Sequence, residues 1–224
     1  MKPLNRAQIA WRAAQDIADG SVVNLGIGMP VEVSNYLPAD RDVFFQSENG
    51  VIGVGPGANE SHADKNLVDA GSRKITLREG ATIVDSAASF AMIRGGHIDI
   101  TVLGAFEVAA NGDLANWDSR VPHKGALVGG AMDLAVGAKA TWVMMAFNTK
   151  DGGARLKLQC SLPLTARACV TRMYTDIAVV DVGADGFIVR EMIANLTAQE
   201  LQAKADAPLI ISDNVATLSA PKLN

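Results

Sequence analysis

Glu48 lies in the segment Val43-Phe44-Phe45-Gln46-Ser47-Glu48-Asn49-Gly50, where a short apolar run meets a polar, turn-prone stretch. Val51-Ile52-Gly53-Val54-Gly55-Pro56-Gly57 follows, apolar and rich in glycine. A carboxylate at the end of a buried strand, just before a glycine turn, stands where α/β folds place ligands and chemistry. A glutamate, with an ordinary side-chain pKa of about 4.3, is ionised at neutral pH and needs no base to act as a nucleophile. A turn acid that accepts from backbone amides fits the same eight residues. No base or metal set accompanies Glu48: His62, His97 and His123 lie far apart and form no metal-ligand spacing. Cys160 and Cys169 have no CxxC spacing and no evident base, and read as reduced buried thiols of a cytoplasmic protein.

Four further motifs accompany Ser47-Glu48-Asn49-Gly50: Asn24-Leu25-Gly26-Ile27-Gly28-Met29-Pro30, Arg94-Gly95-Gly96-His97-Ile98-Asp99, Gly129-Gly130-Ala131-Met132-Asp133-Leu134 and Ser161-Leu162-Pro163-Leu164-Thr165. In type and order they resemble the signatures of the B subunits of family I, or 3-oxoacid, coenzyme A transferases, from about Asn5 to about Ile211. The resemblance implies that Glu48 is the catalytic glutamate and that no cofactor is needed, coenzyme A entering as a substrate thioester. It implies an A-subunit partner in an A2B2 hetero-oligomer, with no nucleic-acid or membrane partner. It also implies the CoA-transferase fold, shared with sugar-phosphate isomerases and some regulators, so the fold alone does not decide the function. The regions Asp113–Trp117 and Arg172–Asp176 look more like 3-oxoadipate:succinyl-CoA transferases than acetoacetate enzymes. An acyl-CoA hydrolase on the same scaffold and a non-catalytic ligand sensor are the other readings; an intact Ser-Glu-Asn-Gly argues against the sensor.

The missing base is consistent with thioester chemistry, because a thiol of pKa about 8.5 leaves without much protonation. The implied path is ping-pong, through an acyl-glutamyl anhydride and a glutamyl-CoA thioester on Glu48, in a site that excludes water. Backbone N–H groups of Gly26-Ile27-Gly28 are candidate donors to the tetrahedral species, or merely form a tight strand-to-helix turn. Asn49 either orients Glu48 or makes an Asx turn. Gly129, Gly130 and Ala131 offer bare backbone for a thioester or pantetheine amide, or serve only a turn. Lys150 is available for a CoA phosphate or an acceptor carboxylate, or is simply solvated. The loop Arg120-Val121-Pro122-His123-Lys124 offers further cations for a dicarboxylate acceptor. Arg94 reads as a helix-end cation and His97 as a structural histidine. Phe147 occupies a position, three before Lys150, where the family often has histidine.

The elements that must position these groups follow from pattern. Asn5 with Gln8 makes a capping box before an apolar face of Ile9, Ala10, Ala13, Ala14 and Ile17 in a helix over Ala7–Ala18. Ser21–Leu25, Ile98–Phe106 and Ala140–Phe147 read as buried strands. Ile75–Leu77 and Thr82–Val84 read as two short strands around Glu79-Gly80, and the polar segment Ala58–Lys65 as a surface loop or lid. Ser86–Arg94 reads as a helix ended by Gly95-Gly96, and Asn111-Gly112 as a hairpin turn. Ala131–Val136 is a short helix after two glycines, and Ile177–Val182 with Phe187–Val189 a hairpin. Thr197 with Glu200 opens a last helix, and the tail after Asp213, with little periodicity, reads as fraying or docking on a partner. With strands and helices interleaved and no linker, residues 1–224 read as one α/β domain with a mainly parallel sheet flanked by helices.

Composition sets the outer limits. A chain of 224 residues fits one domain with a sizeable core. A net charge of −4 and only 5% aromatic residues argue against a phosphate-backbone footprint and a base-stacking platform. No apolar run approaches the roughly 20 residues that span a bilayer.

Overall fold

The computed structural model describes residues 2–58, 63–123 and 125–223. Helix α1 (Arg6–Ala14) starts at Asn5, whose side chain accepts from Gln8 N while the Gln8 side chain accepts from Asn5 N. It is shorter than its apolar pattern, because the chain tightens into a turn at Gln15 and Asp16. Strand β1 (Val22–Leu25) follows, then a 3-10 turn (Pro30–Asn35), β2 (Phe44–Ser47), β3 (Val51–Gly57) and β4 (Ile75–Ile83). Next come α2 (Ser86–Arg94), β5 (Ile100–Leu103), β6 (Glu107–Ala109), β7 (Leu114–Ala115), α3 (Ala131–Gly137) and β8 (Ala140–Met144). The rest is β9 (Leu156–Lys157), β10 (Val170–Tyr174), β11 (Ala178–Gly183), β12 (Gly186–Ile193), α4 (Ala198–Gln202) and β13 (Leu209–Leu218).

Ten strands form one sheet in the order β13-β12-β11-β10-β8-β5-β1-β2-β3-β4. Its centre, from β10 through β8, β5 and β1 to β2, is parallel, and antiparallel pairs extend both sides. This centre is buried on both faces, as its apolar runs require. Gln46, Asn24, Thr101 and Thr141 are register partners across β2, β1, β5 and β8, so they share one face. Helices α2 and α3 cover that face: Gln46 Nε2 reaches Ser89 Oγ of α2 at 2.7 Å, and Thr141 Oγ1 reaches Ala135 O of α3 at 3.2 Å. The opposite face carries α1, where Arg172 and the hydroxyl of Tyr174 both donate to Asp16. Among the described residues no helix is long and apolar enough to cross a membrane.

Three elements depart from the sequence pattern. Ile75–Ile83 is one continuous edge strand that bends at Gly80 (φ +78°) without breaking. The hairpin at Asn111-Gly112 forms as expected, but β6, β7 and β9 make a separate three-stranded sheet. The tail does not fray after Asp213: β13 pairs with β12 up to Ile193 opposite Leu218, and Leu218 is fully buried. Of the lid candidate Ala58–Lys65, residues 59–62 lie outside the described residues, as does Lys124.

Candidate active site

Strand β2 delivers Gln46 and Ser47 buried and ends in the turn Ser47–Gly50, closed by Gly50 N donating to Ser47 O at 2.9 Å. Gly50 has φ +121°, and a Cβ there would stand 2.0 Å from Val84 O. Only glycine fits both that backbone and that approach. The turn leaves Glu48 half-buried at the mouth of a cavity of about 740 Å³. Phe90, Leu103, Phe106, Leu127, Val128 and Leu134 give it apolar walls. Glu48 is its one ionisable lining residue among the described residues.

Asn24 Nδ2 donates to Glu48 Oε2 at 3.3 Å, to Gln46 Oε1 at 2.7 Å and to Gln46 O at 3.2 Å. Among the described residues Asn49 makes no hydrogen bond to Glu48 and no Asx turn. Its Nδ2 donates to Val68 O at 2.8 Å, and Ala70 N donates to Ser47 Oγ at 2.9 Å, so the turn pins residues 68–70 beside the cavity.

Gly26, Glu48, Asn49, Gly129, Gly130 and Ala131 all line this cavity. A Cβ on Gly130 would lie 3.5 Å from Glu48 Cγ and 3.1 Å from Phe90 Cζ, so this glycine stands directly against the carboxylate's stem. One donor expectation fails: Gly26 N is spent on Val102 O at 2.8 Å, bonding the end of β1 to β5. The N–H groups of Ile27 and Gly28 have no backbone acceptor among the described residues. Gly28 lines a second cavity, of about 600 Å³, which shares Ile27, Gly104 and Ala105 with the first.

Lys150 lies apart from both cavities, on the exposed turn Thr149–Gly152 where Gly152 N donates to Thr149 O. The chain turns away from them at Asn148, whose amide is held by Lys204 O at 2.8 Å. Arg120 is exposed and pairs with Asp118 at 3.4 Å. Arg94 is the helix-end cation expected, paired with Asp133 at 2.7 Å. Among the described residues no group of His, Cys, Asp and Glu could hold a metal ion. Burial pushes the Cys160 thiol up to about 12 and the Cys169 thiol up to about 11, far from a thiolate nucleophile.

The remaining motifs support the site from behind. Glu107, buried, accepts from Ser161 N and Ser161 Oγ, both at 2.7 Å, and from Leu162 N at 3.1 Å. Asn116 lines the cavity, donates to Gly104 O at 3.0 Å and accepts from Thr165 Oγ1 at 2.6 Å. Ser161-Leu162-Pro163-Leu164-Thr165 is thus a brace for the cavity floor. Asp99 accepts from Val22 N at 2.8 Å and from Lys139 Nζ at 2.7 Å, tying the start of β1 to the neck before β8. Arg172 and Tyr174 bind Asp16 on the far face, and the same region meets the second cavity through Asp176, which lines it, and through Tyr174 O, which accepts from Met145 N at 3.2 Å.

Two carboxamides beside Glu48 have no role of their own in the sequence pattern: Asn24, at the head of the Asn24–Pro30 motif, which reaches Glu48, and Gln46, which reaches Asn24. Their signal is a polar side chain inside an apolar strand: Val22-Val23-Asn24-Leu25 and Phe44-Phe45-Gln46. Arg155, in the second cavity, is equally unmarked by any motif; its Nε is buried with no hydrogen-bond partner among the described residues, and desolvation outweighs Asp176 to lower its pKa.

The family model described as coenzyme A transferase matches residues 6–204. The chain is 49% identical over 92% of its length, and 95% of the relative's, to the B subunit of the 3-oxoadipate CoA-transferase of Acinetobacter baylyi. It is 46% identical, over 94% of its length and 97% of the relative's, to the B subunit of a probable succinyl-CoA:3-ketoacid coenzyme A transferase of Bacillus subtilis. Among solved structures, an acyl-CoA transferase from Escherichia coli O157:H7 superposes with a TM-score of 0.76 at 20% identity, a likeness of fold. The superposition covers 96% of this chain but only 43% of that one.

Proposed function

This chain belongs to the coenzyme A transferase family, and on that premise we propose that it is the B subunit of a 3-oxoacid CoA-transferase whose nucleophile is Glu48. Glu48 attacks the thioester carbonyl of a donor acyl-CoA, the C–S bond breaks, and CoA thiolate leaves an acyl-glutamyl anhydride. The thiolate attacks Glu48 Cδ, the bond from Cδ to the bridging oxygen breaks, and the donor acid departs as its carboxylate. The glutamyl-CoA thioester then takes an acceptor carboxylate through the same two steps in reverse. No proton is gained or lost, which suits a site lined by one carboxylate and no base.

The observation that carries this reading is that Glu48 is the one ionisable group lining an apolar cavity of about 740 Å³, among the described residues. Apolar walls protect the hydrolysable intermediates. The bare backbone at Gly129 and Gly130 leaves room for the thioester beside Glu48. The proposed donor is succinyl-CoA and the proposed acceptor a short 3-oxo acid, 3-oxoadipate before acetoacetate. The distal carboxylate of such a diacid needs a paired cation when buried. The cavity lining supplies none among the described residues, which supports a cation brought by a partner A subunit over one from the Arg120–His123 loop.

The test is chemical trapping. The enzyme assembled from both subunits is incubated with succinyl-CoA and reduced with borohydride, and the modified peptide is mapped by mass. Modification at Glu48, with Glu48→Ala inactive, is expected. Modification elsewhere, or full activity in Glu48→Ala, refutes the reading.

A further inference from the structure

Taking Glu48 as the nucleophile, a reading on which this inference rests, the geometry points to Asn24 as a second participant. It selects which Glu48 oxygen attacks and stabilises the charge that later develops on the other.

Asn24 is fully buried, and so are its neighbours in the row across the sheet: Gln46 is 2% exposed, Thr101 0% and Ser89 beneath them 0%. Buried polar groups of this kind persist only when their bonding is satisfied. Here the bonding also fixes direction. Gln46 Nε2 donates to Ser89 Oγ at 2.7 Å, which turns Gln46 Oε1 toward Asn24. Asn24 Nδ2 meets that oxygen at 2.7 Å, while Asn24 Oδ1 faces the Thr101 hydroxyl at 3.5 Å. The Asn24 amide therefore has one orientation. Its Nδ2 donor is shared among Gln46 Oε1 at 2.7 Å, Gln46 O at 3.2 Å and Glu48 Oε2 at 3.3 Å, so the bond to Glu48 is the longest of the three.

That shared, long bond has two consequences. In the resting enzyme it ties down Oε2 and leaves Oε1 as the attacking oxygen. The donor is neutral, so Glu48 keeps its charge free of an ion pair. Later, thiolate attack on Glu48 Cδ turns the glutamyl carbonyl oxygen into an oxyanion, and this oxygen is the one facing Asn24. A bond that is long in the resting state and shortens onto developing charge favours the transition state over the ground state. Gln46 and Ser89 touch no reacting atom; they are positioning residues that hold the Asn24 amide.

The experiment uses enzyme assembled from both subunits and single-turnover formation of the glutamyl-CoA adduct from succinyl-CoA, followed by intact mass. Asn24→Leu, close in volume and without donors, is expected to slow adduct formation about 100- to 1000-fold. KM for succinyl-CoA should stay within about threefold. Gln46→Leu is expected to slow it about 10- to 100-fold by releasing the amide. Asn24→Asp keeps the shape but sets a second carboxylate beside Glu48. The two then compete for one proton, and the acid limb of kcat/KM moves up by about one pH unit or more. A merely structural role would not slow adduct formation in Asn24→Leu while leaving KM for succinyl-CoA unchanged. Should Asn24→Leu fail to fold, the isosteric Asn24→Asp and Gln46→Leu decide. Adduct on Glu48 at an undiminished rate in Asn24→Leu, or an unmoved acid limb in Asn24→Asp, overturns this inference alone. An adduct on some other residue of the wild-type enzyme removes the nucleophile reading and this one with it.

Discussion

Adding one methyl group to Gly130 tests the site without touching a polar atom. Gly130 has φ −70° and ψ −3°, a backbone that alanine adopts freely. Its Cβ would lie 3.1 Å from Phe90 Cζ, 3.3 Å from Phe90 Cε1 and 3.5 Å from Glu48 Cγ. Unstrained carbon contacts lie at about 3.5–4.0 Å, so roughly half an ångström must be found between the ring and the start of α3. Glu48, already in contact, has to share that shift. A misplacement of about 1 Å can cost about 100-fold in rate, so half of that costs roughly 10-fold in kcat/KM. Stability should change little: overpacking costs about 1 kcal/mol at its mild end, and the stiffer unfolded chain returns about 0.4–1 kcal/mol. Gly129 is the control, because nothing lies within 4 Å of its Cβ position. Gly129→Ala should keep kcat within about twofold, any loss appearing as a raised KM for acyl-CoA where the ligand fills that space. Steady-state kinetics of the assembled enzyme and thermal unfolding together give the answer. Wild-type kcat/KM in Gly130→Ala, or an equal fall of kcat in Gly129→Ala, would refute the close-packing argument.

Three further outcomes follow from single contacts. Gly50→Ala should destabilise the chain by about 2–6 kcal/mol, from left-handed backbone strain and collision with Val84 O, and denaturant unfolding within about 1 kcal/mol of wild type would contradict it. Hydrogen bonds from Lys139 and then Val22 N hold the Asp99 carboxyl below its ordinary 3.8, so its contribution is complete above that value and is lost as pH falls through the lower folded one. The stability gap between wild type and Asp99→Asn should therefore be flat near neutrality and close only in stronger acid; a gap that widens as pH falls would be inconsistent. With both thiols raised by burial, iodoacetamide at pH 8 should alkylate Cys160 and Cys169 after denaturation but neither in the folded chain, as read by intact mass.

Local chemistry made much of this molecule legible. The boxes Asn5/Gln8 and Thr197/Glu200 are satisfied within four residues, so they can be read from spacing and both form. Glu48 is legible because a strand, a carboxylate and a turn lie consecutively. What pattern could not supply was the partner across the sheet. Asn24 looks like a polar interruption of a strand until Gln46 and Thr101 stand in register beside it. Lys150 follows a buried strand, as a site residue would, yet the direction of its loop is set by Lys204 O, more than fifty residues on. Val215–Leu218 has little periodicity alone and becomes a strand because β12 offers it an open edge.

The register of β1 also sets a timetable. Asn24 lies 22 residues from Gln46 but 77 from Thr101. Chains emerge from the ribosome at about 5–20 residues per second, so the central strand waits roughly 4–15 s for its second neighbour. Until then a buried carboxamide and an apolar strand edge are both open, in a nascent chain that already carries its nucleophile. Long-range parallel pairing of this kind is slow and exposes edges to other chains. Substitutions at Thr101 or Ile100 should therefore lower the yield of soluble protein more than the stability of the molecules that do fold, and chaperone supply during expression should restore much of the difference.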